Sequence, residues 1–325
     1  MTSLIEQAAQ RLEQLRQAGV VLPGDALSTA VAEPEAAAPV GSPAIESSAS
    51  KQAAPRQVGI TLDADGHHPL SKRVELDVMA LAAQGFLMPH TPRSQTGDQY
   101  RVIKRPLIKN AMGKGVTTLN HANLIMVTSA LAGEGKSFTS VNLALSIAAE
   151  LDNTVMLVDA DVARPSVLRM LGLPQGPGLL DVLEGRADIP EVLLRTNVDK
   201  LTILPSGTAH VRATELLASD SMSQLLDNMA KRYPDRIIIF DSPPLLLTTE
   251  SRVLATHMGQ IVIVVHAERT PQSAVQQALA AIENCPLKMM LLNQARPNAA
   301  GGYGYGYGYG YGYGYGYGGN DSAKS

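Results

Sequence analysis

The densest chemistry in this 325-residue chain lies in ALAGEGKS, residues 130–137. It follows an apolar run, LIMVTS (124–129), and opens into a segment with helical patterning. Gly133 and Gly135 let the backbone turn tightly enough for several N–H groups to converge on one point. The following helix adds the partial positive charge of its N-terminus. Ala132, Gly133, Glu134, Gly135, Lys136, Ser137 and Phe138 are thereby placed as a phosphate cradle. Lys136 would reach the β- and γ-phosphates of ATP, and Ser137 would ligate Mg²⁺. Ala130 stands where the phosphate-loop pattern has its first glycine.

Acids follow at strand ends. Asp159 and Asp161 close the apolar run in VMLVDADVARP, two residues apart. Alternate residues of an extended segment share a side, so both carboxylates are expected to face a Mg²⁺-triphosphate. Asp241 comes after four apolar residues in IIIFDSPP, the setting for the acid that holds Mg²⁺ or its coordinated water. The reading assigns catalysis to Lys136, Asp159 and Asp161, and metal binding to Ser137, Asp161 and Asp241. A phenol has a pKa of ~10 and a carboxylate one of ~4, so an aspartate is a weak base for tyrosine. Phosphoryl transfer tolerates this because its loose transition state needs little early deprotonation of the nucleophile. The same residues would equally orient water, so these motifs fit a kinase and an ATPase alike.

A second feature concerns a possible phosphoryl acceptor. Tyr303, Tyr305, Tyr307, Tyr309, Tyr311, Tyr313, Tyr315 and Tyr317 alternate with glycine, while the whole chain has ten tyrosines, three Phe and no Trp. Strict Gly-Tyr alternation lacks the apolar bulk to offset its backbone entropy, so the tail is expected to be disordered and exposed. Exposed phenols on such a tether act as adhesive groups or as substrates.

The elements that must position these groups follow from patterning. Residues 1–19 read as an amphipathic helix, with Leu4, Ile5, Ala8, Leu12 and Leu15 on one face. Residues 20–70 have linker composition. Residues 71–84 read as a helix stopped by Gly85, and 98–112 as a helix that Pro106 interrupts or kinks. Residues 71–120 thus form a helical lead-in to a domain over 121–297, and 298–325 form the tail. In that domain, apolar runs at 124–129, 155–160, 201–206, 237–242, 261–267 and 289–294 alternate with helical stretches at 136–151, 221–232 and 271–283. Near-continuous apolar strands imply a sheet covered on both faces. The alternation predicts a doubly wound, mostly parallel α/β fold of the P-loop NTPase type, with its ligand site at the carboxyl ends of the strands.

Composition narrows the class. The net charge of −3 gives no reason to expect a nucleic-acid partner. No run of 18 apolar residues is present, so no transmembrane segment is expected, and the N-terminus lacks an apolar leader. The single Cys285 suits a reducing cytoplasm and reads as a small buried hydrophobe. His67 and His68 lie in a polar stretch and read as solvated.

Together these motifs resemble the bacterial tyrosine kinases of capsule and exopolysaccharide synthesis, over residues ~95–317. ALAGEGKS looks like the family's Walker A, VMLVDADVARP like its Walker A′ and IIIFDSPP like its Walker B, and the tail matches its C-terminal tyrosine cluster. The N-terminal helix, the linker and DQYRVIKRP look most like the branch accompanying exosortase-linked loci. The resemblance implies a partition-ATPase-like fold and a cytoplasmic non-specific protein-tyrosine kinase that uses MgATP. It implies autophosphorylation of the tail between subunits of a ring, and activation by a separate membrane-embedded chain-length regulator that recruits the protein to the inner face of the membrane. The family's ring motif, Glu-x-x-Arg-x-x-Arg, appears as Asp98-x-x-Arg101-x-x-Lys104. The arginine that usually follows the second Walker A′ acid by two residues is Ala163, with Arg164 next. Asn293 is placed either to contact the base or as a structural amide. Two other readings compete. A switch ATPase of the partition type usually carries an extra early lysine, and none occurs from Leu124 through Gly135. The other is a scaffold with an adhesive tail.

Overall fold

The computed structural model describes residues 71–88, 94–115, 119–232 and 235–296. The helix expected over 1–19, the linker over 20–70 and the tyrosine tail over 298–325 lie outside these residues, as do His67 and His68.

Eight strands of the described residues form one sheet: β1 (Lys72–Val74), β2 (Leu124–Ser129), β3 (Thr154–Asp159), β4 (Leu194–Thr196), β5 (Leu201–Leu204), β6 (Arg236–Asp241), β7 (Gln260–His266) and β8 (Lys288–Asn293). Their spatial order is β1-β4-β5-β3-β6-β2-β7-β8. β2, β3, β5, β6, β7 and β8 are the expected strands, and they run parallel. β4 pairs antiparallel with β5, and β1 joins β4. The helices are α1 (Val78–Ala83), α2 (Gln95–Ala111), α3 (Lys136–Ala148), α4 (Val167–Met170), α5 (Leu179–Leu183), α6 (Ile189–Val192), α7 (Ala213–Leu217), α8 (Asp220–Arg232), α9 (Glu250–Ala255) and α10 (Gln272–Ala281).

The central strands are apolar on both sides of the pleat, so each side needs a cover. In β2, Ile125 and Val127 join the layer formed with Val141 and Leu145 of α3. Leu124 and Met126 join the opposite layer with Leu225 and Leu226 of α8 and Leu254 of α9. Each fully buried side chain of this kind contributes ~1.5–3 kcal/mol. That burial offsets the entropy of ordering the loops at the strand ends.

Two sequence expectations need correction. Residues 71–84 are not one helix. Lys72–Val74 pairs with β4, and α1 starts only after Asp77, whose carboxylate accepts the Ala80 N–H at 2.9 Å. Sheet pairing overrides helical patterning here, and Asp77 is an N-cap rather than a mid-helix residue. Gly85 does end the segment, with φ of 88°. Pro106, in turn, does not break its helix: α2 continues through it. Proline removes the bond to the residue four back and crowds its carbonyl, and that residue, Val102, lies on the exposed face where the carbonyl can tilt toward water. Asp98, Arg101 and Lys104, the residues at the ring-motif positions, differ in their surroundings. Asp98 and Arg101 pair with each other at the surface. Lys104 is buried, its Nζ 2.7 Å from Glu150 and donating to the Ser146 carbonyl. A buried ammonium needs such acceptors, and the C-terminal turn of α3 supplies them.

Candidate active site

The loop between β2 and α3 folds as its glycines require. Gly133 and Gly135 have φ of 81° and 91°, in the left-handed region. Gly135 is the N-cap of α3, so Lys136, Ser137 and Phe138 form that helix's first turn. Ala132 and Gly133 are exposed at the loop's crest. The side chain of Phe138 faces away from the cradle, stacking on Phe86 with ring centroids 5.1 Å apart. Its contribution to a ligand is therefore its backbone.

Sheet register brings the acids to this loop. β6 lies between β2 and β3, and Asp159 is the direct neighbour of Asp241 across the β3–β6 pair. Lys136 Nζ is 2.6 Å from Asp161 Oδ2, with both side chains largely buried. Asp241 accepts the Ser140 hydroxyl at 3.1 Å. Asp159 Oδ2 accepts the Ser166 and Val167 backbone N–H groups, both at 3.0 Å. Asp159 and Asp161 therefore do not act alike. Asp161 engages Lys136, while half of Asp159 braces the turn into α4.

The remaining oxygens are telling. Asp159 Oδ1 and Asp241 Oδ2 are buried without a hydrogen-bond partner. Burial, and then the adjacent Asp241 carboxylate, push the Asp159 carboxyl up to about 7. Burial also raises Asp241, against the opposing charge of Lys136. Three carboxylates thus converge where one ammonium is present, which leaves a deficit that a divalent cation would meet. Among the described residues no three His, Cys, Asp or Glu side chains form a metal-binding group. A Mg²⁺ in such a loop does not need one, because a hydroxyl, water and phosphate oxygens complete its shell. Ser137 and Asp241, with Asp161 beside them, fit that role.

Two residues named from the sequence take other contacts than a ligand, and two of their neighbours, Ser140 and Thr270, escaped the sequence reading. Glu134 is buried and its carboxylate turns away from the cradle, accepting the Leu131 N–H at 2.6 Å and the Thr270 hydroxyl. Asn293 donates to the Glu134 carbonyl at 2.9 Å. Ser140 sits three residues beyond Ser137 on a buried helix face, a spacing that could have flagged it. Thr270 carried no local signal. Arg164 is exposed, its backbone N–H 3.2 Å from Asp161 Oδ1. The tail tyrosines Tyr303–Tyr317 lie outside the described residues. Cys285 is buried and its thiol donates to the Ala255 carbonyl, as a structural residue would.

A phosphate-binding loop at the carboxyl ends of parallel strands, with acids on the adjoining strands, defines a P-loop nucleotide-binding α/β protein. Comparison with known proteins refines this class. A family model described as an AAA domain matches residues 122–293. The tyrosine-protein kinase CpsD of Streptococcus agalactiae is 34% identical over 181 residues, covering 54% of this chain and 77% of CpsD. The succinoglycan biosynthesis transport protein ExoP of Rhizobium meliloti is 29% identical over 232 residues, covering 70% of this chain and 28% of ExoP. The crystal structure of the VpsO kinase domain superposes with a TM-score of 0.50 at 26% identity, covering 62% of this chain and 100% of that domain. The chain belongs to the bacterial tyrosine-kinase family. Several relatives are far longer, and this chain spans only 23–24% of the length of two of them. Among the described residues no helix is long and apolar enough to cross a membrane.

Proposed function

We propose that this chain is an ATP-dependent tyrosine autokinase that phosphorylates its Gly-Tyr tail on a neighbouring copy and thereby regulates exopolysaccharide synthesis. The observation that carries the reading is the convergence of Lys136, Asp161, Asp159 and Asp241, with two buried carboxylate oxygens left unpartnered, on a phosphate-binding loop.

The roles follow from position. The loop's N–H groups and the α3 N-terminus would hold the phosphates, and Lys136 would bind their outer oxygens. Ser137 and Asp241 would hold Mg²⁺, which supplies charge neutralisation at the transferred group. Asp161 or Asp159 would orient a tyrosine hydroxyl and accept its proton late. Asp159 is placed for that step by its buried Oδ1, which has no hydrogen-bond partner while Oδ2 is held by the backbone.

The tail supplies the acceptor. It begins just past β8, whose last residue already touches the loop. The ~20 residues from Asn298 to Tyr317 reach at most about 70 Å extended and roughly 25 Å as a coil, enough for a neighbouring subunit. Each phosphotyrosine adds about −1.5 to −2 in charge, so a modified tail repels its neighbours. A polysaccharide role draws on the name of ExoP. The same reading includes a cytoplasmic setting, a separate membrane-embedded activator, recruitment to the inner face of the membrane and the exosortase-linked branch. The test is incubation with MgATP followed by mass spectrometry of the tail. Phosphate on Tyr303–Tyr317 that is lost in Lys136→Met is the expected result. An unmodified tail, with a membrane activator present, would overturn the proposal.

A further inference from the structure

The position held by Glu134 has no side-chain role in a phosphate cradle, which uses backbone N–H groups. A buried carboxylate is costly unless bonded, yet this one is only 3% exposed between exposed loop residues and the start of a helix. Its bonds run away from the ligand side. One oxygen closes the loop on itself through the Leu131 N–H, at 2.6 Å. The other accepts the hydroxyl of Thr270, 136 residues further along the chain. That hydroxyl is fixed in turn, because it accepts the His266 N–H at 3.1 Å where β7 ends.

A second hold comes from β8. The Asn293 side chain donates to the Glu134 carbonyl at 2.9 Å, and the Asn293 backbone carbonyl accepts the Ala267 N–H at 2.9 Å. A Cβ on Gly135 would stand 2.2 Å from the Asn293 amide nitrogen. Gly135 is therefore required for its positive φ, and a side chain there would also push the Asn293 amide aside. The loop peptide that must aim its N–H groups at phosphate is gripped from the β7–α10 turn and from the end of β8.

We propose that Thr270 and Asn293 are positioning residues that act through Glu134 to hold the phosphate-binding loop in its receptive form. This deepens the nucleotide-site reading above and rests on it, but its readout is binding rather than phosphorylation. A wild-type chain that binds MgATP without modifying its tail, even with a membrane activator present, would overturn the kinase reading and leave this one standing.

The experiment measures affinity of the full chain for MgATP and for Mg-tripolyphosphate, which has no base. Thr270→Val keeps the side-chain volume and loses the hydroxyl. Asn293→Asp keeps the shape and loses the donor. Both should weaken both ligands alike, by roughly three- to tenfold, the loss of one or two well-placed hydrogen bonds. Thr270→Ser should bind within about twofold of wild type. If Asn293→Asp weakens MgATP and spares tripolyphosphate, Asn293 reads the base and the proposal fails. Should Thr270→Val melt early with unchanged affinity, Thr270 is merely structural and the proposal fails. Glu134→Gln provides the second check. Combined with Thr270→Val, its effect should be less than additive. Full additivity would mean the two residues do not act through one link.

Discussion

Asp159 is the residue at which the site's electrostatics can be read most directly. Its ordinary value is 3.8, and burial with a neighbouring acid raises it to about 7. The folded protein therefore holds this proton more tightly than the unfolded chain does. Ionising the group opposes folding, so its contribution to stability falls as the pH rises from about 4 through about 7. Asp159→Asn removes the charge while keeping an acceptor for the Ser166 and Val167 N–H groups. It should leave stability near wild type at pH 4 and raise it by up to roughly 4 kcal/mol at pH 8, about three pKa units. Denaturant unfolding at the two pH values checks this, and an equal effect at both would contradict it. At this scale much was legible. Lys136, Ser137, Asp159, Asp161 and Asp241 meet as their motifs predict, because loop glycines and strand ends fix them locally. The division of labour between Asp159 and Asp161 was not legible, since it depends on which backbone N–H groups the turn into α4 happens to present. Thr270 was invisible for a related reason. Its partner is remote in sequence, and a threonine before a proline reads as an ordinary turn.

Elements tell a parallel story. The six core strands were legible nearly to the residue, because runs such as IIIF and IVIVV must be buried on both faces. β1 and β4 were not, being three-residue strands, KRV and LRT, with no apolar run to mark them. Helices of four to six residues lack the two turns over which a 3.6-residue period becomes visible. Lys104 shows what motif spacing does not carry, because its burial is set by packing between helices. In the fold it clips α2 to the C-terminal turn of α3, and its contact holds the Glu150 carboxyl below the usual range. Lys104→Met should leave the Ser146 carbonyl and Glu150 without their donor and lower stability by ~1–3 kcal/mol in denaturant unfolding. The loss should persist at high salt, because a buried pair is poorly screened. Unchanged stability would mean that water replaces the ammonium and that α2 is held by its apolar face alone.

For the whole molecule, the sheet does one thing that matters for function. It sets the phosphate loop, the acids of β3 and β6, and the end of β8 at a single edge, and in sequence the tyrosine tail begins at Asn298, five residues after the last residue of β8. An ATPase with the same loop would need no such tail, and an adhesive tail would need no such loop. The combination is the central claim, and stoichiometry tests it most directly. The purified chain should be incubated with MgATP, with counts of ADP, free phosphate and phosphotyrosine over time. The account predicts ADP matched by tail phosphotyrosine, with turnover slowing as the acceptor tyrosines fill, and neither product in Lys136→Met. Sustained release of free phosphate with an unmodified tail would contradict it and mark the protein as a hydrolase.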